Sequence, residues 1–281
     1  MDVEKDLPAW AAGQPFAGKV AIVAGGAGPG MGRATAKLLG SLGAVVGVLD
    51  VNEDLGSETV ERVQRTGAKA GFRRVDMTAE NDVRDAMDYF AEAYGGIDLL
   101  FNNTGVASDP AKRLADFSLT EWERSVQVNL NSAFLGMKYA IPHMLAAGGG
   151  AIVNNASVSG TRANVGGAPY GVAKAGVIHL TKVAALEYGR QGIRVNCVCP
   201  YSISRKENPG GRVPVPTGDP GESADDLERW QRAQLPMLRS GRGSEVAHAV
   251  AFLLSDAASW VSGAALPVDG ASGAGYFGSF R

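Results

Sequence analysis

The chain has 281 residues, of which 45% are hydrophobic and 20% charged, the balance of an ordinary soluble globular protein. A net charge of −2 gives no overall field to attract nucleic acid or an anionic membrane surface. No apolar run is long enough to span a bilayer, and the acidic start (Asp2, Glu4, Asp6) lacks the basic n-region of a signal peptide, so a cytoplasmic protein is expected.

Residues 1–17 read as an N-terminal arm whose Pro8, Trp10 and Phe16 could dock on this domain or on a neighbour. Beyond it, apolar β-rich runs alternate with helical patterns. A strand over Lys19 to Ala24 leads into a helix over Met31 to Leu42. A strand over Ala44 to Asp50 leads into a helix over Glu53 to Arg65, and one over Ala68 to Val75 into a helix over Glu80 to Tyr94. After a fourth strand, Ile97 to Asn102, a long helical zone runs from Ser118 to Ala146, where Pro142 can introduce a kink. Then come a strand over Ala151 to Asn155, a helix over Tyr170 to Arg190 and a strand over Ile193 to Cys199. Helices near Ala224 to Gln234 and Gly243 to Ser255 precede a last short strand, Ala265 to Val268. The alternation predicts a doubly wound α/β fold, three layers α/β/α with a seven-stranded parallel sheet, as a single domain over 18–281. The regularity breaks after Pro200, in a Pro/Gly-rich stretch. A loop over about 200–235 is the expected substrate loop, able to act as a lid.

Chemistry gathers where these strands end. Ala24 to Gly32 (AGGAGPGMG) follows a strand and opens a helix. Glycines there let the backbone approach a pyrophosphate seated at the helix N-terminus. Asp50, at the end of the second strand, can accept hydrogen bonds from adenosine ribose hydroxyls and would repel a 2′-phosphate, favouring NAD over NADP. Alternatively it caps the next helix, a task open to Asn52 as well. Asp76-Met77 and Asn102-Asn103-Thr104-Gly105 follow the third and fourth strands, at the edge where open α/β sheets bind ligands. Tyr170 and Lys174 are four residues apart, hence on one helix face, and a neighbouring ammonium lowers the pKa of a phenol. Cys197 and Cys199 read as reduced core thiols. The scattered His143, His179 and His248 show no ligand spacing, so no metal site is expected.

Together these motifs resemble the short-chain dehydrogenase/reductase family from about Gly18 to Gly270. The family's TGxxxGxG is matched by Gly25, Gly30 and Gly32, and its NNAG by Asn102, Asn103 and Gly105. The catalytic Asn, Ser, Tyr and Lys are matched by Asn129, Ser157, Tyr170 and Lys174, and Asn196, Pro200 and Val268-Asp269-Gly270 also fall on familiar positions. The resemblance implies a Rossmann-type fold and an NAD-dependent oxidoreductase that interconverts a secondary alcohol and its ketone. Tyr170 would be the general acid/base, Ser157 would hold the substrate oxygen, and Lys174 would tune Tyr170 and bind the nicotinamide ribose. Asn129 would hold a relay water. Expected cofactor contacts are Gly26, Gly30, Met31, Asp50, Asp76, Met77, Asn103, Gly105, Tyr170, Lys174, Pro200 and Ile203. The family commonly forms homotetramers or homodimers.

The chain also departs from the pattern. Ala24 replaces the family's Thr, Pro29 lengthens the glycine motif by one residue, and Thr104 stands where NNAG has Ala. Arg33, just inside the helix, does not decide between the two dinucleotides. Tyr201 follows Pro200 where Gly is usual, so its ring either walls the cleft or turns outward. The small, nearly uncharged residues after Ser157 (Gly160, Val165, Gly166, Gly167, Ala168) point to a neutral, fairly apolar substrate, with Arg162 as the one charge. Two other readings remain open: an NADP-dependent carbonyl reductase, and a non-catalytic NAD-binding regulatory protein on the same fold.

Overall fold

A computed structural model of the protein describes residues 13–163, 167–204 and 235–274. Strand β1 (Val20–Ala24) is apolar at every position, and its side chains alternate between two cores: Ala21 and Val23 on one face, Ile22 and Ala24 on the other. A strand covered on both faces belongs in the middle of a parallel sheet. On one side β1 pairs in parallel with β2 (Val45–Asp50), which pairs with β3 (Ala70–Arg74). On the other it pairs with β4 (Leu99–Asn102), followed outward by β5 (Gly150–Asn155) and β6 (Ile193–Pro200). Two short strands, β7 (Ile203–Ser204) and β8 (Gly241–Arg242), pair with each other, and β9 (Ala265–Val268) closes the main sheet against β6. The main sheet has seven parallel strands in the order β3-β2-β1-β4-β5-β6-β9, as the alternation predicts. The chain reverses direction across the sheet between β1 and β4, which opens a crevice at their carboxyl ends.

Helices α1 (Met31–Ser41), α2 (Glu53–Gln64) and α8 (Gly243–Leu254) cover one face. The other carries α3 (Glu80–Tyr94), α5 (Ser132–Ala146) and α7 (Ala168–Tyr188). Phe16, from the expected arm, is buried in the first core, and its N–H donates to the Leu42 carbonyl at 3.0 Å, so this part of the arm docks on its own sheet layer. The expected helix near Ala224 to Gln234 and most of the substrate loop lie outside the described residues.

The long helical zone is not one regular helix. It divides into α4 (Leu119–Val126), a π-helical turn over Gln127–Asn131, and α5. The irregularity falls around Asn129, whereas Pro142 lies inside the continuous span of α5. Cys197 and Cys199 lie fully buried on β6, both packed in one small cluster with Ala133 and Val177. A single hydrogen bond between the two thiols pulls Cys197 down and pushes Cys199 up from the ordinary thiol value. Arg194 crosses from β6 to the end of α8 and donates to the Leu253, Leu254 and Ser255 carbonyls at 2.7, 3.1 and 3.0 Å, satisfying a helix C-terminus from outside. Among the described residues no helix is long and apolar enough to cross a membrane.

Candidate active site

The carboxyl edge of the sheet opens into a cleft of about 840 Å³. At one end lies the glycine turn. Gly25, Gly28 and Gly30 have φ of 75°, 73° and 142°, which other residues rarely adopt. The N-terminus of α1 behind them has no side-chain cap, and a Cβ on Gly30 would project into open space. Gly32 packs close: a Cβ there would sit 2.2 Å from the Gly25 carbonyl oxygen. Pro29, Gly30 and Met31 line the cleft wall. Gly26, expected as a cofactor contact, does not. Its Cα side faces inward, where a Cβ would meet Val48 Cγ1 at 2.9 Å and the Val23 carbonyl at 3.0 Å, so its smallness serves packing beneath the turn.

Asp50 faces the same end of the cleft. Its carboxylate accepts from Ala27 N–H at 3.0 Å and Asn52 N–H at 3.1 Å. The cap of α2 is Asn52, whose Oδ1 accepts from Leu55 N–H at 2.9 Å. Arg33 is buried and turned into the protein, held by Thr59 at 2.9 Å and Glu58 at 2.7 Å. Asp76, Met77, Pro200 and Ile203 also border the cleft. Asp76 is an exposed turn residue that accepts from the Thr78 N–H and hydroxyl.

At the other end Ser157, Tyr170 and Lys174 converge. Ser157 ends β5's extension and accepts from Ser159 N–H at 3.1 Å, capping the short α6 (Val158–Thr161). Tyr170 sits in the first turn of α7, its backbone N–H tied to Ser108 Oγ at 3.1 Å. Lys174, one turn on, is buried, and its ammonium donates to the Asn155 carbonyl at 2.6 Å. Its Nζ lies 5.7 Å from the Tyr170 ring centre.

The electrostatics differ from the expectation drawn from spacing. Burial raises the Tyr170 phenol above its ordinary value, and the hydrogen bond with Ser157 acts in the opposite direction without prevailing. Lys174 is itself lowered to about 8 by burial. Desolvation, felt by both groups, outweighs the help that the ammonium was expected to give the phenol.

Asn129 is buried and does not line the cleft. Its Nδ2 donates to the carbonyls of Val106 and Ser125 at 2.9 and 3.0 Å, and its Oδ1 accepts from Val106 N–H at 3.1 Å. The π-helical turn thus serves to aim one amide at the loop beside the cleft. Gly105 lies between this amide and Lys174: a Cβ there would be 2.9 Å from Asn129 Oδ1 and 3.3 Å from Lys174 Nζ. Asn103 lines the cleft and also holds the turn, donating from Nδ2 to the Gly25 carbonyl at 2.7 Å.

Among the cleft residues that escaped the sequence reading of the site are Arg124, Asn155 and, as a polar group, Thr104. Thr104 Oγ1 and Asn155 Oδ1 are buried without a hydrogen-bond partner among the described residues. The only signal for Asn155 was its place two residues before Ser157. Tyr201 does line the cleft, and it also borders a second cavity of about 370 Å³ between β7 and the turn after β9. The Arg162 guanidinium lies 6.0 Å from its ring centre. Val165 and Gly166 fall outside the described residues.

A family model described as enoyl-(acyl carrier protein) reductase matches residues 26–272. Cis-4-hydroxycyclohexanecarboxylate dehydrogenase of Sinomonas cyclohexanicum is 41% identical over 92% of this chain and 98% of its own length. Cyclohexanol dehydrogenase of Acinetobacter sp. (strain SE19) is 39% identical over 91% of this chain and 95% of its own. Carveol dehydrogenase from Mycobacterium avium, solved in complex with NAD, superposes with a TM-score of 0.81 at 29% identity, covering 91% of this chain and 98% of that one.

Proposed function

The chain belongs to the short-chain dehydrogenase/reductase family, and on that premise we propose that it is an NAD-dependent oxidoreductase. Its substrate would be a neutral, fairly apolar secondary alcohol, with the hydroxyl on a six-membered carbon ring, interconverted with the matching ketone. The observation that carries the reading is the convergence of a phenol, a hydroxyl and a buried ammonium in one cleft whose far end is an uncapped helix N-terminus. The ring is suggested by the two relatives named for cyclohexane-derived alcohols.

The cleft residues fit a dinucleotide. The turn over Gly28 to Met31 offers open backbone for a pyrophosphate, with Gly30 leaving the space that a side chain would fill. Asp50 suits ribose hydroxyls. Among the described residues lining the cleft the cations are Arg124 and Lys174, and neither belongs to the β2–α2 corner that holds Asp50. With Arg33 engaged by Glu58, that corner favours NAD over NADP. When bound, the nicotinamide accepts or supplies a hydride.

The protein's own groups then handle the proton. Ser157 donates a hydrogen bond to the substrate oxygen and fixes it beside Tyr170. The Tyr170 phenol gives its proton to a ketone oxygen, or as phenolate takes one from an alcohol. Lys174 holds the cofactor ribose and supplies positive charge near the phenol. Asn129 shapes the loop over Lys174, and the water it is expected to hold would link Lys174 to solvent as a proton relay. A homodimer or homotetramer is the proposed assembly, supported by fully exposed Trp260 and by Leu186, Val172 and Phe134 on helix surfaces. Two free buried thiols suit the reducing cytoplasm.

The test is NADH formation over a panel of cyclic secondary alcohols, with cis-4-hydroxycyclohexanecarboxylate as the charged counterpart. Tyr170→Phe should lower turnover by about 10²- to 10⁴-fold while leaving NAD affinity within about twofold. Substantial turnover in that variant, or a clear preference for NADPH, would overturn the corresponding part of the proposal.

A further inference from the structure

Asn155 ends β5, is 7% exposed, and lines the cleft with Ser157, Tyr170 and Lys174. The orientation of its amide is dictated from a distance. The Gly25 carbonyl can only accept, so Asn103 must present Nδ2 to it, at 2.7 Å. Asn103 Oδ1 then faces Asn155, which answers with its own Nδ2 at 3.0 Å. Asn155 Oδ1 is left pointing out of this relay, buried and without a partner among the described residues. An acceptor buried this way is costly unless a ligand brings it a donor.

The neighbouring ammonium identifies that donor. The Asn155 carbonyl holds Lys174 Nζ at 2.6 Å, so the orphan oxygen and the ammonium belong to one patch of wall. A hydroxyl that accepts from an ammonium still carries a proton of its own, which needs an acceptor. We propose that Asn155 is a dinucleotide-binding residue. Its Oδ1 accepts from a hydroxyl of the nicotinamide ribose held by Lys174, and its Nδ2 ties that contact through Asn103 to the pyrophosphate turn at Gly25. The inference rests on the dinucleotide-binding reading of the cleft. It gives the relay a purpose: the two ends of one cofactor are registered to each other by three side-chain and main-chain links across β1, β4 and β5.

The test is calorimetric titration of wild type and Asn155→Leu with NAD, and with NAD analogues lacking the 2′ or 3′ hydroxyl on the nicotinamide ribose. The variant should bind NAD about five- to tenfold more weakly, and its thermal stabilisation by NAD should shrink to match. For one analogue the affinity loss seen in wild type should diminish by a similar factor in the variant. A variant that binds NAD within about twofold of wild type, whatever its own melting temperature, would make Asn155 a structural link only and overturn the proposal. If Asn155→Leu does not fold, wild type decides: equal affinity for NAD and both analogues overturns it. Wild type binding no nicotinamide dinucleotide would remove the oxidoreductase reading and this inference together, whereas normal NAD binding in both proteins removes this inference alone.

Discussion

Tyr170 rests in its protonated form in the protein as it stands. Burial favours its neutral form, so at neutral pH it holds the proton that a ketone needs. Ketone reduction should therefore hold steady through neutral pH and fall as the phenol ionises in the alkaline range. Alcohol oxidation, which needs phenolate, should rise with pH. A flat oxidation profile from about pH 7 to pH 10 would exclude Tyr170 as the base. Lys174 yields a stability prediction with its own sign. Its folded value of about 8 lies below the ordinary 10.5, so burying the charge costs stability below about pH 8. That cost fades between the two values, where only the unfolded chain still binds the proton. Replacing Lys174 with Met should thus gain more stability, or lose less, at pH 7 than near pH 10.5, as read from denaturant midpoints. The same difference at both pH values would mean that burial does not strain the ammonium. At this scale the sequence displayed residue types and spacing, which is why Ser157, Tyr170 and Lys174 could be singled out. It could not display desolvation, which reverses the expected shift of Tyr170. Nor could it reveal Asn155, whose amide is turned by a carbonyl two strands away.

Elements were legible where a local pattern carried them. Most of the seven strands are largely apolar runs, though the third (AGFRR) ends in two arginines, and every observed bound lies within two residues of the expected one. The π-helical turn over Gln127–Asn131 was not, because its cause is tertiary: Asn129 bonds the Val106 main chain from both sides of its amide. Gly26 shows the same limit within the glycine turn. Nothing in AGGAGPGMG tells an inward glycine from one facing the cleft, since that depends on Val48 and Val23 in neighbouring strands. Gly32 offers the sharper test. Adding a Cβ there would press on the Gly25 carbonyl, so Gly32→Ala should destabilise the protein by about 1–3 kcal/mol and weaken NAD binding as the turn is displaced. Unchanged thermal stability and NAD affinity would show that α1 can shift away without consequence.

For the whole molecule, the order β3-β2-β1-β4-β5-β6-β9 places the crevice where β1 and β4 part, and both halves of the candidate site lie along it. The proposed assembly is testable at this scale. Sedimentation at micromolar concentration should give a mass two or four times the 29.1 kDa of one chain, and a single 29.1 kDa species would overturn it. The chain has only two cysteines, and both are sealed in β6 beneath α7. A thiol-specific reagent in excess can therefore reach neither until that strand separates from its cover. The labelling rate would count openings of the sheet's interior, and protein carrying two labels should accumulate with little singly labelled intermediate. The buried thiol pair makes the protein a clock for its own unfolding, one that bound ligand would slow by as much as it stabilises the folded chain.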